Sequence, residues 1–387
     1  MNSVLYIVDV VEAILRCIGE EPDRVGRTKA LLACSYTHRG LRWAAQKLLF
    51  KSVRIACARQ FAPALQTSTN TGDYVRSFTA LPSTFDADIT LWDILRYLPK
   101  LRHLYLPPSA FPNSPGPNGF MLPKHLEVEI TEGDDEGLTT NHDGIHAVLE
   151  RVELVDVVVV SCNLSTFDFE MRPASIAVRT LVLKWNPTPW WQSLNYEVLT
   201  RLQFSVMQGR EASWQPILNL ASNLVEVHVE FAKASAQCQL SFEHNKKMEY
   251  LFITAEPYML GPGENTRAKV GIPLVKTLQT VVADCRLDVI LPALRVPRVN
   301  LEDTLRELHW GDFAPIYQAR DHQWKRRNAP WFRLSILTSE DNHDFLEVVR
   351  ERMCMVGIKV AANGVYESGL WVAAVKRVPW YASLVQH

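Results

Sequence analysis

The residues with the clearest capacity for chemistry lie between positions 132 and 146. His142 and His146 form a histidine pair at i,i+4 spacing around Asp143, which one face of a helix can present to a zinc ion. The same segment fits the start of a helix, because Asn141 and Asp143 are residue types that cap free backbone N–H groups. The acidic run at 132–136 lacks the spacing and closing glutamate of a calcium-binding EF-hand. We therefore interpret the first group as a helix start and the second as a solvated loop, and expect no bound metal.

Motifs for other kinds of catalysis are absent from the sequence. Gly261-Pro262-Gly263 lacks the continuation of a dinucleotide-binding loop and is typical of a turn. The sequence contains no G-x-S-x-G nucleophile elbow, no H-E-x-x-H zinc motif and no phosphate-binding loop. We expect a chain that is not an enzyme and needs no cofactor. An enzyme of an unrecognised family is the alternative, and it would need a pocket of clustered acids and bases.

The charge balance bears on the class of partner. Lys and Arg number 41 against 42 Asp and Glu, which leaves a net charge of −1. Binders of nucleic acids and of anionic membranes need a basic surface, and the three residues Lys325-Arg326-Arg327 are too few to form one. The sequence therefore predicts neither a nucleic-acid partner nor a membrane partner.

Length and composition indicate a folded protein with two or more domains or an elongated repeat. The chain has 387 residues, of which 47% are apolar, and single cores stop growing at about 250–300 residues. Its seven cysteines are scattered singly, as in proteins with free thiols inside the cell. No apolar run reaches the roughly 20 residues of a membrane span, and the first residues lack the basic start of a secretion signal. We expect a cytoplasmic or nuclear protein.

The first fifty-five residues predict three short helices and a strand. Apolar residues recur at helical spacing before a turn at 19–23, a second short helix follows at 29–35, and a third presents Leu41, Ala45 and Leu48 on one face. The strand-like segment 52–55 comes next. Three such helices bury only a small core, so part of their apolar surface needs a partner.

This order resembles the F-box, in the form common among fungal F-box-like proteins. The resemblance is carried by the E-E-P-D turn, by Ala33-Cys34-Ser35-Tyr36-Thr37 and by Gln46-Lys47-Leu48-Leu49-Phe50-Lys51-Ser52-Val53. It implies docking onto the Skp-family adaptor of a cullin-RING ubiquitin ligase. The implied adaptor contacts are apolar: Val10, Val11, Ile14, Leu15, Leu41, Leu48, Leu49 and Phe50. A helical cap for the region that follows is the alternative interpretation.

A short apolar-x-x-apolar-x-apolar pattern repeats through the rest of the chain. Ten copies begin between Leu101 and Trp331, at a mean spacing of about 26 residues, inside the range of leucine-rich repeats. Alternate side chains of a strand face opposite ways, so Leu104 and Leu106 are predicted to face the core and Tyr105 to face outward. We predict an α/β fold, with an F-box-like domain at 1–55, an irregular leucine-rich-repeat-like solenoid at 56–340 and a C-terminal cap at 341–387. An ordinary α/β domain with similarly spaced strands is the alternative.

The outward strand positions predict a binding column for a target protein. Its members are Tyr105, Glu127, Glu153, Val182, Gln203, His228, Phe252, Val282, His309 and Ser335. A Trp-rich loop with Lys184, Trp190 and Trp191 is a second candidate, because aromatic side chains on semi-rigid loops are common interface anchors. Padding between irregular repeats is the alternative for this loop.

Two functions follow from these patterns. The leading hypothesis is a substrate-recognition subunit of a Skp-cullin-F-box ubiquitin ligase, whose predicted target contacts are Tyr105, Glu127, Glu153, Lys184, Trp190, Trp191, His228, Phe252 and His309. The alternative is a non-catalytic leucine-rich-repeat scaffold with no link to a ligase.

Overall fold

The structure is a computed structural model. It describes residues 13, 15, 17–18, 23–37, 39–67, 71–82, 84–86, 88–112, 116–130, 142–160, 175–183, 193–206, 214–231, 239–255, 272–282, 284–292, 310–316, 318–319 and 332–337. The chain divides into two compact units, Met1–Val182 with Thr188–Asn195, and Leu183–Pro187 with Tyr196–His387.

The first unit alternates helices with short strands. Its described helices are α1 (Arg24–Thr37), α2 (Arg39–Leu49), α3 (Ala58–Thr67), α4 (Thr71–Tyr74), α5 (Leu91–Leu95) and α6 (His142–Leu149), with a 3₁₀ turn at Pro108–Ala110. Its strands are β1 (Ser52–Ile55), β2 (Ser77–Ala80), β3 (His103–Leu106), β4 (Leu126–Ile130), β5 (Val155–Val160) and most of β6 (Val178–Leu183).

The second unit has longer strands and shorter helices. Its described strands are β7 (Arg201–Val206), β8 (Glu226–Phe231), β9 (Tyr250–Ala255), β10 (Arg286–Pro292) and β11 (Phe332–Leu337). Its described helices are α7 (Gln215–Leu220), α8 (Ile272–Gln279) and a 3₁₀ turn at Trp310–Phe313.

Strands follow one another in chain order within each unit, and the paired strands are parallel. In the first unit the pairs from β1 to β5 are parallel, and in the second so are all pairs from β7 to β11. A parallel pair needs a connection that returns to the start of the next strand, and helices or turns supply it here. This arrangement confirms the predicted α/β class.

Alternate apolar side chains of the strands lie in the core, as the alternating pattern predicts. Leu104 and Leu106 on β3 are buried, and so are Phe204 on β7 and Val229 on β8. Phe204 stacks on Trp214, with ring centroids 4.2 Å apart, and this contact attaches the segment leading into α7 to the sheet. Because Phe204 packs against this connection, the side chains that alternate with it along β7 lie on the opposite face of the sheet.

The apolar pattern misplaces some strands. In the copy at 149–154, Leu149 and Val152 are buried and Leu154 is half-buried, but β5 begins only at Val155. The copy that starts at Leu278 begins at the end of α8, ahead of β10. The copy ending at Trp310 was expected to be a strand, whereas Trp310 begins a 3₁₀ turn. Apolar triplets also arise where a helix ends against the core, so spacing alone does not separate the two cases.

The N-terminal helices form a small core of their own. Leu15 is in helical backbone and is buried together with Leu31 and Ala45. Helix α1 begins at Arg24 and is longer than the predicted helix at 29–35. Asp23 explains the earlier start, because its carboxylate accepts hydrogen bonds from the backbone N–H groups of Val25 and Gly26 at 3.0 and 2.9 Å.

Hydrogen bonds from side-chain amides hold the connections of the second unit. The Asn245 side-chain amide is fully buried and donates to the carbonyl oxygens of Leu218 and Ala221 at 2.9 and 2.8 Å. Gln215 and Ser241 exchange a pair of hydrogen bonds between side-chain amide and backbone. These contacts satisfy backbone groups at the end of α7 and in the segment between β8 and β9.

Several expectations concern parts of the chain outside the described residues. They include the C-terminal cap predicted at 341–387 and the acidic run at 132–136. Within the part of the chain that is described, no helix combines the length and apolar character needed to cross a membrane.

Candidate protein-interaction surfaces

Helix α1 presents an exposed apolar stripe. Val25, Leu32 and Tyr36 are 62%, 40% and 79% exposed. Their i, i+7, i+11 spacing places them along one side of the helix. We call these three residues the α1 stripe.

Trp43 on α2 adds a large exposed ring to the same helical pair. It is 52% exposed, its ring meets Tyr74 edge-on with centroids 6.4 Å apart, and the Lys47 ammonium lies 5.2 Å from the ring centroid. A tryptophan held in place by a neighbour loses little conformational freedom on binding, so it is suited to anchor a partner.

The predicted adaptor contacts are placed differently from the α1 stripe. Leu15 is only 1% exposed, inside the helical core, which corrects its expected availability to a partner. Leu41, Leu48 and Leu49 are half-buried and pack against that core, and Phe50 is also half-buried. The most regular apolar positions are used to hold the helices to one another. Val10, Val11 and Ile14 lie outside the described residues.

The α1 stripe was readable from the sequence but was missed. Its members sit at helical spacing, but they are diluted by polar neighbours such as Thr28 and Lys29. The predicted helix at 29–35 excludes Val25, whereas the helix begins at Arg24. With the correct start, the helical spacing of the three residues is evident.

The first unit has an accessible polar sheet face. In-register pairing aligns two rows of side chains across β1–β4. The rows are Ser52, Ser77, His103 and Glu127, and Arg54, Thr79, Tyr105 and Glu129. All eight residues are exposed or half-buried. We call them the acidic face, after the two glutamates at its β4 end.

Electrostatic contacts order the acidic face around β3. His103 Nδ1 lies 2.8 Å from Glu127 Oε2, and the His103 and Tyr105 rings stack with centroids 6.5 Å apart. Partial burial raises the pKa of Tyr105, and the nearby Glu129 and Glu127 carboxylates raise it further, so this hydroxyl stays protonated as a hydrogen-bond donor.

Two residues of the predicted column, Tyr105 and Glu127, lie on this face, but not in one row. Glu127 pairs with His103, and Tyr105 pairs with Glu129. Glu153 does not belong to the face: it is exposed in the turn before β5 and forms an ion pair with Lys124. Its predicted strand position is wrong because β5 begins two residues later.

The second unit has a polar row that is buried. Register pairs Gln203 with His228, His228 with Phe252, and Phe252 with Asp288. The first three are members of the predicted column and align as predicted. All four side chains are buried, which corrects the expected exposure of Gln203, His228 and Phe252. We call these four residues the buried row. Strand alternation fixes the face on which a side chain lies, but not whether water reaches that face.

Some polar groups on and beside the buried row are paired within the unit. Tyr250 Oη donates to Asp288 Oδ2 at 2.8 Å, and Arg286 donates to the same oxygen at 3.1 Å. Arg201 pairs with Glu226 at 3.1 Å. The Gln203 Oε1 atom is buried and has no hydrogen-bond partner among the described residues.

His228 is neutral in this setting. Its ring lies edge-on to Phe252, with centroids 4.4 Å apart, and its Nε2 is 3.5 Å from Thr254 Oγ1. Burial lowers the pKa of His228 to about 3. A neutral, buried imidazole is an internal packing and hydrogen-bonding group rather than a contact for a target.

The remaining predicted target contacts divide into two groups. Val182 is buried and is therefore not an open surface position, whereas Val282 is half-buried and lies between α8 and β10, outside any strand. Lys184, Trp190, Trp191 and His309 lie outside the described residues, as does the side chain of Ser335.

No metal centre is formed by the described residues, among which no group of three or more His, Cys, Asp or Glu side chains could hold an ion. His146 Nδ1 lies 3.4 Å from Glu150 Oε2, one turn along α6. His142 begins α6, so the predicted helix start is confirmed.

Comparison with protein-family models, with curated proteins and with solved structures gives no match to the chain.

Proposed function

We propose that the chain is a substrate-recognition subunit of a Skp-cullin-F-box type ubiquitin ligase, acting in the cytoplasm or nucleus. Its N-terminal helices form an F-box-like domain that docks onto a Skp-family adaptor. Its parallel strands and their connections form an irregular leucine-rich-repeat-like solenoid that holds a target protein. The chain itself carries out no chemistry.

The observation that carries this proposal is the α1 stripe. Val25, Leu32 and Tyr36 are exposed on a helical pair whose own core is small. Large apolar side chains gathered on one exposed helix side are typical of a protein interface. Trp43 supplies a further exposed aromatic group on α2, and tryptophan and tyrosine are the residue types that most often dominate binding energy.

The strand order supports the second half of the proposal. Paired strands that follow in chain order, each pairing with its sequence neighbours, are what stacked repeats produce. A target bound on the open polar face of the first unit would be held close to the ubiquitin-conjugating enzyme of the ligase. The resulting gain is one of effective concentration and orientation.

Co-expression with a Skp-family adaptor, followed by size-exclusion chromatography, tests the adaptor contact. We expect the wild-type chain to co-elute with the adaptor and the Leu32→Asp/Tyr36→Asp variant to elute alone. The reason is that two carboxylates would be buried against the adaptor's apolar surface. Because both residues are exposed, the variant should keep its fold, which circular dichroism verifies.

The matched control is Met121→Asp/Leu220→Asp, which changes two exposed apolar residues elsewhere. This variant should co-elute as the wild type does. If the folded wild type fails to co-elute, or if the stripe variant co-elutes equally well, the receptor proposal is wrong.

The scaffold alternative is favoured by one contact. Trp43 meets Tyr74 on α4, so the helical pair also packs against the structure that follows it, as a cap does. In that case residues 1–55 would be needed for folding but would bind no adaptor.

A further inference from the structure

The acidic face and the buried row differ in whether a partner can reach them. Every member of the acidic face is exposed or half-buried, whereas every member of the buried row is buried. Of these two faces, the acidic face is therefore the one open to a target.

Two glutamates give the acidic face a defined spacing. Glu127 and Glu129 are two residues apart on β4, on the same side of the strand, with Leu126, Val128 and Ile130 buried on the other. Two residues of strand span about 6.6–6.8 Å. An extended peptide repeats its own side chains with the same period, so basic residues at alternate positions would lie opposite both carboxylates.

The neighbours of the glutamates complete the surface. Tyr105 on β3 lies beside Glu129 in the strand register, and Val157 on β5 lies beside Glu127. The half-buried Tyr105 ring offers a partner guanidinium an aromatic contact. The half-buried Val157 offers contact to the methylene stem of a basic side chain.

Charge is distributed unevenly across the rows. Arg54 is the basic residue at the β1 end, and both carboxylates lie at the β4 end. His103 sits between them, against Glu127. A basic partner segment is therefore attracted to the β3–β5 side of the face and repelled from the β1 side, which fixes where it binds.

From this juxtaposition we propose that the acidic face recognises an extended segment of the target with Arg or Lys at alternate positions. The proposal rests on the proposed function, since it names the class of target that the receptor would hold. The Arg or Lys side chains pair with Glu127 and Glu129, and one guanidinium or ammonium group lies on the Tyr105 ring.

Fluorescence anisotropy of the full chain with two labelled peptides tests this recognition. One peptide alternates arginine with threonine, and the other has glutamate in place of each arginine. We expect the arginine peptide to bind and the glutamate peptide not to bind. Binding should weaken at high salt, because exposed charge pairs are screened. The Glu127→Gln/Glu129→Gln variant should weaken binding by about tenfold or more.

Glu153→Gln is the matched control, since it makes the same chemical change at an exposed glutamate outside the face. It should leave the peptide affinity unchanged. Failure of the arginine peptide to bind would overturn the proposal, and so would equal binding by the double variant. Adaptor co-elution is measured on the same variants, so retained co-elution without peptide binding would refute this target class and leave the receptor assignment standing.

Discussion

At the scale of single residues, burial decides what polar groups do in this protein. His103 and His228 both lie on polar sheet faces, yet one faces a carboxylate at a half-exposed position and the other is enclosed beside Phe252. The first takes part in a charged surface and the second is held neutral. The two residues are of the same type, and only their surroundings assign them to different roles.

Enclosure of His228 predicts a pH-dependent stability. An unfolded histidine has a pKa of about 6.5, whereas the folded chain lowers the pKa of His228 to about 3. Between these values the unfolded chain binds a proton that the folded chain does not. The free energy of unfolding should therefore fall as pH falls from 6.5 toward 3, by up to about 1.4 kcal/mol per pH unit from this group.

Urea unfolding of wild type and His228→Leu at pH 7 and pH 4.5 measures this effect. Wild type should lose about 2 kcal/mol more than the variant over that interval. The control is His244→Gln, which replaces an exposed histidine and should behave as wild type does. Equal losses in wild type and His228→Leu would contradict the prediction.

At the scale of elements, the sequence predicted which segments form strands better than where they begin. Alternating apolar residues placed β3 and β4 correctly, because only one side of each of these strands is buried, and they placed β7 correctly although both of its sides are buried. It placed β5 and β10 too early, since apolar residues at a helix end look the same in sequence. Solvent access to the buried row was not predictable, because it depends on what packs against that face of the sheet. Nor could helical spacing separate Leu15, which holds the helices together, from an exposed residue such as Tyr36.

Packing of the short helix α4 predicts a strict need for glycine. Gly72 is buried, and a Cβ atom at this position would lie 1.8 Å from the carbonyl oxygen of Tyr97. Relief would require the turn after α5 to move, because the obstacle is backbone. Gly72→Ala should lower the free energy of unfolding by about 3 kcal/mol, at the upper end of typical overpacking costs.

Gly311→Ala is the comparison, since nothing lies within 4 Å of a Cβ atom there. Its effect should stay within about 1 kcal/mol and can be stabilising, through reduced freedom of the unfolded chain. Chemical denaturation of both variants separates the two cases. A Gly72→Ala protein as stable as Gly311→Ala would show that α4 does not pack as described.

At the scale of the whole molecule, a near-zero net charge and an exposed apolar stripe both favour self-association of the chain. The chain carries a net charge of −1 and has an isoelectric point near 6.8. Charge repulsion between copies is therefore weakest near neutral pH, where little opposes apolar contact. In the proposed complex, the adaptor would cover the α1 stripe. In the isolated chain, the stripe is exposed to other copies of the chain.

The isolated chain should therefore self-associate most strongly near pH 6.8 and less at pH 9. Light scattering across this range should show a maximum that the Leu32→Ser/Tyr36→Ser variant reduces, because it removes apolar surface without altering charge. Met121→Ser/Leu220→Ser removes exposed apolar surface elsewhere and should retain the maximum. If both variants scatter light as the wild type does, the α1 stripe is not the surface through which the chain self-associates. The proposal that the α1 stripe binds an adaptor would then lose its support, because the proposal depends on this apolar surface being able to bind another protein.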